Sequence, residues 1–348
     1  MTSAFRYPSV VYQNEAEDVR SQNLPPKVEL SLASPLASSL PPPPSPTMPP
    51  PSQHPSEHYT HLTTALSPPI PTILDLDILP SSYPPHIHLA PNALALPKPL
   101  LISLFVTARH IFIAHLAAPS EDSHDAALKA TLVILLWEPN HATAANFRKR
   151  YLRGLLLRGS DDDDDDDIGE DEIRDAVRRE LCFTASLVTS PLIRHAKSST
   201  LWSHRLWVLK TFPVSNTSPF HSSNAQSQPQ IPLVGFWREE LSIIMRAGER
   251  HPRNYYAWNY ARQLFATLSE REEGSKTEMA RGSVELVKKW CLAHPRDVSG
   301  WAFLAFLLGR VDGVGEKERG RVVQDTRAFV RKYKWRGESV EWFLKVIG

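Results

Sequence analysis

Apolar residues recur with helical spacing along the chain from Pro99 to its last residues. Side chains three or four positions apart share one face of a helix, so this spacing indicates amphipathic helices. We find no stretch that predicts a strand, and we expect an all-α fold. The predicted helices span residues 100–117, 121–137, 142–158, 170–189, a segment starting near Ser198, 233–250, 253–268, 276–293, 297–309, 316–333 and 337–346.

The first 98 residues differ from the rest in composition, since 22 of the 31 prolines lie in residues 1–100. Proline removes backbone donors and favours extended conformations, and few large apolar side chains remain to offset ordering entropy. We expect residues 1–98 to be a mostly disordered Pro- and Ser-rich region, a linker or a docking segment for SH3- or WW-type grooves. Ile73–Pro80 is more apolar and could pack as an ordered piece.

Two low-complexity insertions interrupt the helical domain predicted for residues 99–348, at residues 159–171 and 213–232. The first contains the seven aspartates Asp161–Asp167, whose mutual repulsion predicts an exposed loop. It could also attract a basic partner. Outside residues 1–100 and 161–172, basic side chains outnumber acidic ones by 35 to 21, although the whole chain is nearly neutral.

Two cysteines, Cys182 and Cys291, are too few for a disulfide framework or a cysteine-rich zinc site. They favour a reducing compartment, and we expect a cytoplasmic protein with no metal or other cofactor bound by this chain. The longest apolar stretch, Pro99–Ala118, contains Arg109, His110 and His115. We interpret it as a buried helix; a membrane span is the less favoured alternative.

An internal repeat is visible in the helical domain. His251–Trp258 reads His-Pro-Arg-Asn-Tyr-Tyr-Ala-Trp, and 43 residues later His294–Trp301 reads His-Pro-Arg-Asp-Val-Ser-Gly-Trp. Weaker copies end at Trp202 and at Ala145, which replaces the tryptophan. Once the insertions are removed, the unit is about 40 residues and two helices long, which is typical of a helical-hairpin solenoid.

The chemistry of each copy fits a hairpin turn. Ser198, Asn254 and Asp297 stand four residues before the tryptophan, where a short oxygen-bearing side chain can cap the second helix. The tryptophan then starts that helix and is expected to wedge between adjacent hairpins.

At these residues the sequence resembles the protein prenyltransferase α-subunit family, and its pattern is nearest to the divergent repeat-containing members in a fungal-looking form. Trp202-Ser203-His204-Arg205 is similar to the family's Trp-x-His-Arg, and Asn254–Trp258 to its Asn-Tyr-x-Ala-Trp. The resemblance covers residues 120–310. Ala145, Ala261 and Leu304 depart from the pattern. The matching structural residues are Asn146, Arg148, Trp202, His204, Arg205, Trp207, Asn254, Trp258 and Trp301.

The resemblance implies a right-handed superhelix of hairpins, an α-α solenoid, that wraps a β subunit of the Rab-type geranylgeranyltransferase kind. The partner β subunit would hold the catalytic zinc, and the pair would transfer geranylgeranyl to a cysteine of a protein substrate. This chain would then be non-catalytic. Arg253 and Tyr255 match family positions that face the active site, although an exposed helix start and interface packing are their simpler interpretations.

Alternatives remain for both the residues and the whole chain. His204 and Arg205 could form an acid–base pair, but hydrogen bonds to backbone carbonyls between hairpins are the preferred interpretation. The chain could be a helical-repeat adaptor without an enzymatic partner. A nucleic-acid binder is the least favoured hypothesis because no surface that alternates aromatic and basic residues is apparent.

Overall fold

The computed structural model describes residues 55–158, 169–212, 233–271, 275–310 and 314–348. Two helices, α1 and α2, precede five helical hairpins, and a one-turn helix, α6, lies inside the second hairpin. The helices are α1 (Pro55–Leu66), α2 (Lys98–Ala117), α3 (Glu121–Trp137), α4 (Ala142–Arg158), α5 (Glu170–Val188), α6 (Ile193–Ala196), α7 (Ser199–Thr211), α8 (Leu233–Arg250), α9 (Tyr255–Ser269), α10 (Ser275–Ala293), α11 (Val298–Arg310), α12 (Glu316–Tyr333) and α13 (Glu338–Ile347).

The hairpins stack in chain order and form two layers. The first-helix layer contains α3, α5, α8, α10 and α12, and the second-helix layer contains α4, α7, α9, α11 and α13. Each member of the second-helix layer contacts the next one directly. Each hairpin therefore buries its apolar faces against its neighbours, as in a solenoid. The prediction of an all-α repeat fold is confirmed.

The start of the first hairpin shows how local sequence sets a boundary. The Ser120 side chain accepts a hydrogen bond from the backbone N–H of Ser123, and the Ser123 side chain accepts one from Ser120. This reciprocal pair satisfies two donors that have no partner inside the helix. Glu121 and Asp122 add negative charge at the positive end of the helix dipole.

Three short strands precede α2 and form a sheet in the order β1–β3–β2. They are β1 (Asp75–Leu79), β2 (His88–Ala90) and β3 (Ala93–Pro97); β1 runs parallel to β3, and β2 antiparallel to it. Leu76 pairs with Leu94, and both are buried.

The sheet and α1 differ from the sequence interpretation, which predicted no strand and expected residues up to 98 to be mostly disordered. The prediction that the chain contains no strand was wrong for residues 75–97. The physical reason is that the segment from Leu74 to Pro97 is stabilised by contacts with the helical hairpins. The backbone N–H of Leu74 donates to the Ser186 hydroxyl of α5 at 2.8 Å, and Leu74 itself is buried. The ordered piece expected near Ile73–Pro80 contains β1. Residues 1–54, the run Asp161–Asp167 and residues 213–232 lie outside the described residues.

Helix α2 is long and apolar enough to cross a membrane by length and composition alone, which is weak support for a membrane span. In the fold it packs antiparallel to α3 and buries Leu101, Leu104 and Phe112. Its other side exposes Ile102, Val106, Ile113 and Leu116.

Candidate partner-binding layer of the helical hairpins

In the first four hairpins, the turns between the two helices are tied to one another by capping side chains. Ser198 and Asn254 accept hydrogen bonds from the backbone at Leu201 and Ala257, and Asp297 accepts one from Gly300. Each therefore caps its second helix, as the sequence predicts.

The same three caps also reach the preceding hairpin. The Ser198 hydroxyl donates to the carbonyl of Pro139 at 2.9 Å, and the Asn254 amide donates to the carbonyl of Ala196 at 2.8 Å. The carboxylate of Asp297 accepts from the backbone N–H of Arg253 at 2.5 Å. Arg253 has a φ of 58°, which places its backbone in the left-handed region. The caps thus set the register between successive turns as well as the helix starts.

Two histidines also connect the turns of successive hairpins. His195 bonds through Nε2 to the carbonyl of Leu136 at 2.7 Å, and His251 bonds through Nε2 to the carbonyl of Ser190 at 2.9 Å. Burial lowers the pKa of His195 to about 4 although its backbone hydrogen bond opposes that shift, and burial also lowers the pKa of His251. Both rings are therefore neutral near pH 7 and act as hydrogen-bond donors between hairpins.

The repeated tryptophans wedge between adjacent hairpins. The Trp202 ring lies 4.9 Å from Tyr260, the Trp258 ring lies 5.0 Å from Trp290, and the Trp301 ring lies 4.8 Å from Phe343. All three indoles are almost fully buried. Truncating such a residue to alanine typically costs about 3–5 kcal/mol.

Two buried carboxylates link the hairpins by ion pairs. Glu180 of α5 accepts from Arg148 of the preceding second helix, with Nη2 to Oε2 at 2.5 Å, and from His204 Nε2 at 2.5 Å. Burial alone would raise the pKa of Glu180, but the charge of Arg148 and the hydrogen bonds from His204 and Arg148 hold it well below its usual range. Glu180 is therefore ionised and bridges two second helices.

The next hairpin repeats this arrangement. Glu240 of α8 accepts from Arg205 Nη2 at 2.5 Å and from the Tyr260 hydroxyl at 2.6 Å. Arg205 also donates to the carbonyl of Leu181 at 2.6 Å. Burial opposes the charge of Arg205, yet Glu240 raises the pKa of that guanidinium above its usual value. The backbone carbonyl that Arg205 reaches therefore lies within its own hairpin, and its partner in the next hairpin is a carboxylate rather than the backbone carbonyl that the sequence analysis expected.

Between the third and fourth hairpins, neutral residues replace this cluster. Ala261 stands where the first and second motifs place Arg148 and Arg205, and Ser283 stands 43 residues after Glu240, one repeat later. Phe303 occupies the place of His204 and Tyr260, two residues after its tryptophan. The Ser283 hydroxyl instead accepts a hydrogen bond from Trp237 at 2.6 Å. The arginine and its carboxylate are therefore absent together, so no buried charge is left unpaired.

Sequence reasoning missed Glu180, Glu240 and Tyr260. A local signal was present, because both glutamates follow two charged residues and precede a leucine, in Arg178-Arg179-Glu180-Leu181 and in Arg238-Glu239-Glu240-Leu241. The glutamates stand 22 and 18 residues before their tryptophans, and this unequal spacing hides the match.

The remaining predicted residues lie on the outside of the second-helix layer. Asn146 is exposed and Trp207 is half-buried. Tyr255 is 62% exposed and lines a cleft of about 170 Å³ between α7 and α9 with Trp202 and Ser203. Arg253 is exposed beside it. The structure thus divides the motif residues into an internal set that joins hairpins and an external set.

Both cysteine thiols of the described residues are enclosed. Cys182 and Cys291 are buried, and burial raises the pKa of both thiols, that of Cys182 to about 11. No group of three or more His, Cys, Asp or Glu side chains that could hold a metal ion occurs in the part of the chain that the structure describes.

Comparison with known proteins places this architecture among relatives. The family model described as the ECM9 middle domain matches residues 220–331. The chain is 25% identical over 188 residues to human protein prenyltransferase alpha subunit repeat-containing protein 1, and the match covers 53% of this chain and 40% of that protein.

Two further relatives extend the comparison. The geranylgeranyl transferase type-2 subunit alpha of Sus scrofa is 26% identical over 212 residues, which cover 54% of this chain and 34% of that subunit. Protein ECM9 of Saccharomyces cerevisiae is 25% identical over 213 residues, which cover 61% of this chain and 47% of that protein. The match spans less than half the length of each of these relatives. By its hairpins, its motif residues and these matches, the chain is a relative of the protein prenyltransferase α-subunit repeat proteins.

Proposed function

We propose that the chain is the non-catalytic α-type subunit of a heterodimeric protein prenyltransferase. In this proposal it scaffolds a β subunit of the Rab-type geranylgeranyltransferase kind in the cytoplasm. The β subunit holds the zinc and transfers a geranylgeranyl group to a cysteine of a protein substrate. The relatives named as type-2 alpha subunits support this assignment.

The observation that carries the proposal is the division of the motif residues. Arg148 and Arg205 are fully engaged inside the solenoid by Glu180 and Glu240. The next second helix, α9, exposes Tyr255 and its neighbour Tyr256. Aromatic residues of this kind are enriched at protein interfaces, so this face suits a protein partner.

The buried cysteines also support a proposal in which this chain is the scaffold and the partner chain is catalytic. A catalytic zinc needs several nitrogen, sulfur or oxygen ligands that converge on one point. Cys182 and Cys291 lie in two different first helices and are both buried. Zinc chemistry is therefore assigned to the partner chain in this proposal.

Arg253 and Tyr255 are the residues of this chain that we assign to the mouth of the active site. Both are exposed at the start of α9. A guanidinium at such a position stabilises the negative charge that builds on the departing diphosphate. They act on the reaction only when the β subunit is bound.

Co-expression with the type-2 β subunit of the source organism tests the proposal. We expect a stable 1:1 complex on size-exclusion chromatography that transfers geranylgeranyl from its diphosphate to a Rab-type protein substrate, whereas this chain alone transfers none. Failure of two folded chains to co-purify, shown folded by circular dichroism, would refute the proposal.

A helical-repeat adaptor without an enzymatic partner is the second candidate. It is favoured by the match to the ECM9 middle domain and to protein ECM9, whose names assign no transferase. Affinity isolation from the source cell separates the two candidates. A β-type chain among the captured proteins supports the subunit, and repeated recovery of other proteins without any β-type chain supports the adaptor.

A further inference from the structure

The second helices of the first four hairpins lack acidic side chains. Residues 142–158, 199–211, 255–269 and 298–310 contain no aspartate and no glutamate. The first helices supply the carboxylates of both buried ion pairs, Glu180 and Glu240. Positive charge on the outer side of the second helices therefore has no compensating carboxylate on those helices.

The concentration of charge is greatest on α4. Lys149 and Arg153, one helical turn apart, both lie over the ring of Trp207 on α7, at 5.6 Å and 5.7 Å from its centroid. Arg150 is exposed next to them. Neither Lys149 nor Arg153 forms an ion pair among the described residues. Burial lowers the pKa of Lys149, and the nearby positive charge of Arg153 lowers it further.

Two cations that lie over one indole, without an ion-pair partner among the described residues, favour an anion in front of them. The indole face attracts each cation and holds it in place, but it does not relieve the repulsion between them. A carboxylate bound between the ammonium and the guanidinium would relieve it through charge-assisted hydrogen bonds. The cluster is thus arranged to receive acidic side chains.

The surface continues from this cluster toward the third hairpin. Trp207 and Ser203 are four residues apart and share one face of α7. Ser203 lines the cleft that Tyr255 and Tyr256 close from α9. A strip of cations, an indole and two tyrosines therefore runs along the second helices.

This composition favours a protein over a nucleic acid. Nucleic-acid sites place many Lys and Arg side chains along the path of the phosphates. Here the cations are concentrated on α4, whereas the strip continues with Trp207, Tyr255 and Tyr256, the residue types that are enriched at protein interfaces.

We propose that this strip docks an acidic surface of the protein partner, with Lys149 and Arg153 receiving carboxylates in front of Trp207. The inference rests on the proposed function, since the partner it describes is the β subunit. It adds the chemistry of the contact: the docking face of that subunit carries Asp and Glu opposite α4.

The test uses the full-length chain, the type-2 β subunit of the source organism and a charge-reversed variant, Lys149→Glu with Arg153→Glu. We expect the dissociation constant to rise at least about tenfold at 0.05 M NaCl, and less than about threefold at 0.5 M NaCl, because salt screens exposed charges. Surface plasmon resonance separates the rates, and the loss should lie mainly in the association rate.

A matched control reverses two exposed cations of the first-helix layer, Lys289→Glu with Arg321→Glu. It changes the net charge by the same amount and should leave binding within about twofold. The conservative swap Lys149→Arg with Arg153→Lys should also retain binding. If the reversed variant melts early on its own, the neutral pair Lys149→Gln with Arg153→Gln replaces it.

The outcomes separate the two proposals. A complex that forms normally and is unaffected by the reversal overturns the acidic docking surface alone and leaves the subunit assignment standing. No complex with the unaltered chain overturns the subunit assignment, and the docking inference falls with it. Tight, salt-sensitive binding of a fluorescent 20-nucleotide RNA that requires the same two cations would overturn the protein surface in favour of a nucleic-acid site.

Discussion

Removal of the Glu240 carboxylate is the most direct test of how the hairpins are held together. Glu240 and Arg205 are both 0% exposed, and their side chains are joined at 2.5 Å and 3.0 Å. In Glu240→Ala, Arg205 keeps the carbonyl of Leu181 and the hydroxyl of Thr184 but loses its counter-charge. Breaking a buried pair in this way costs about 3–5 kcal/mol. The Tyr260 hydroxyl also loses its acceptor, which adds about 1–3 kcal/mol.

A triple variant separates the cost of an orphaned charge from the loss of volume. Arg205→Met, Glu240→Leu and Tyr260→Phe together remove the guanidinium, the carboxylate and the phenol hydroxyl of the cluster while retaining similar bulk. Replacement of a buried pair by apolar residues of similar volume is often neutral or stabilising. We expect the triple variant to unfold within about 2 kcal/mol of the unaltered chain, as the naturally neutral set at Ala261, Ser283 and Phe303 suggests.

Urea unfolding followed by circular dichroism at 222 nm measures both variants. Glu249→Ala, at an exposed position on the same helix, is the control and should change the free energy of unfolding by no more than about 0.5 kcal/mol. The reasoning fails if Glu240→Ala costs less than about 1 kcal/mol. It also fails if the triple variant is as unstable as the single one, because the damage would then come from lost packing rather than from an unpaired guanidinium.

Two further predictions concern the hydrogen bonds that connect the turns of successive hairpins. Asn254→Ala loses both the helix cap and the hydrogen bond to Ala196, and should lower the free energy of unfolding, measured in urea, by about 1–2 kcal/mol. Asn146→Ala, at an exposed position, is its control. Equal effects of the two substitutions would contradict the capping role of Asn254. For His195, whose pKa falls to about 4 in the fold from an unfolded value of 6.5, the unfolded chain binds more protons between those values. The free energy of unfolding should therefore fall by up to about 3 kcal/mol as pH decreases from 7 toward 4. Urea midpoints of the unaltered chain and of His195→Gln, measured at pH 7 and pH 4.5, should reveal this contribution as a difference between the two proteins. An identical pH dependence in both would refute it.

The hairpin turns could be predicted from sequence because their signal is local. The proline, the capping residue and the tryptophan fall within eight consecutive residues, as in His251–Trp258. Each acts on the helix end to which it belongs: Asn254 caps α9 at its own first turn. Spacing alone was therefore enough to locate the turns and the indole wedges.

The buried carboxylates could not be found in the same way because their partners lie on other helices, far away in sequence. Glu180 is 32 residues from Arg148 and 24 from His204. The strands were not predicted from the sequence for a related reason. Asp75 of β1 is held by Arg250 of α8, at 2.7 Å, across 175 residues of sequence. A segment whose stabilising contacts are so distant has no periodic signal of its own.

The two uses of arginine on the second helices explain why one layer can both join hairpins and receive a partner. Arg148 points to the first helices and is neutralised by Glu180, whereas Arg153, five residues later on the same helix, remains unpaired among the described residues over Trp207. A buried guanidinium requires a fixed carboxylate, and that requirement holds α4 against the next hairpin. Lys149 and Arg153 are thereby held at a set distance from α7, where a partner's carboxylates can meet them without first ordering the surface. If the internal pairs set this spacing, then Glu180→Gln should weaken partner binding at low salt even though it touches no exposed residue. An effect on stability alone, with unchanged association at temperatures where the variant is folded, would contradict this coupling.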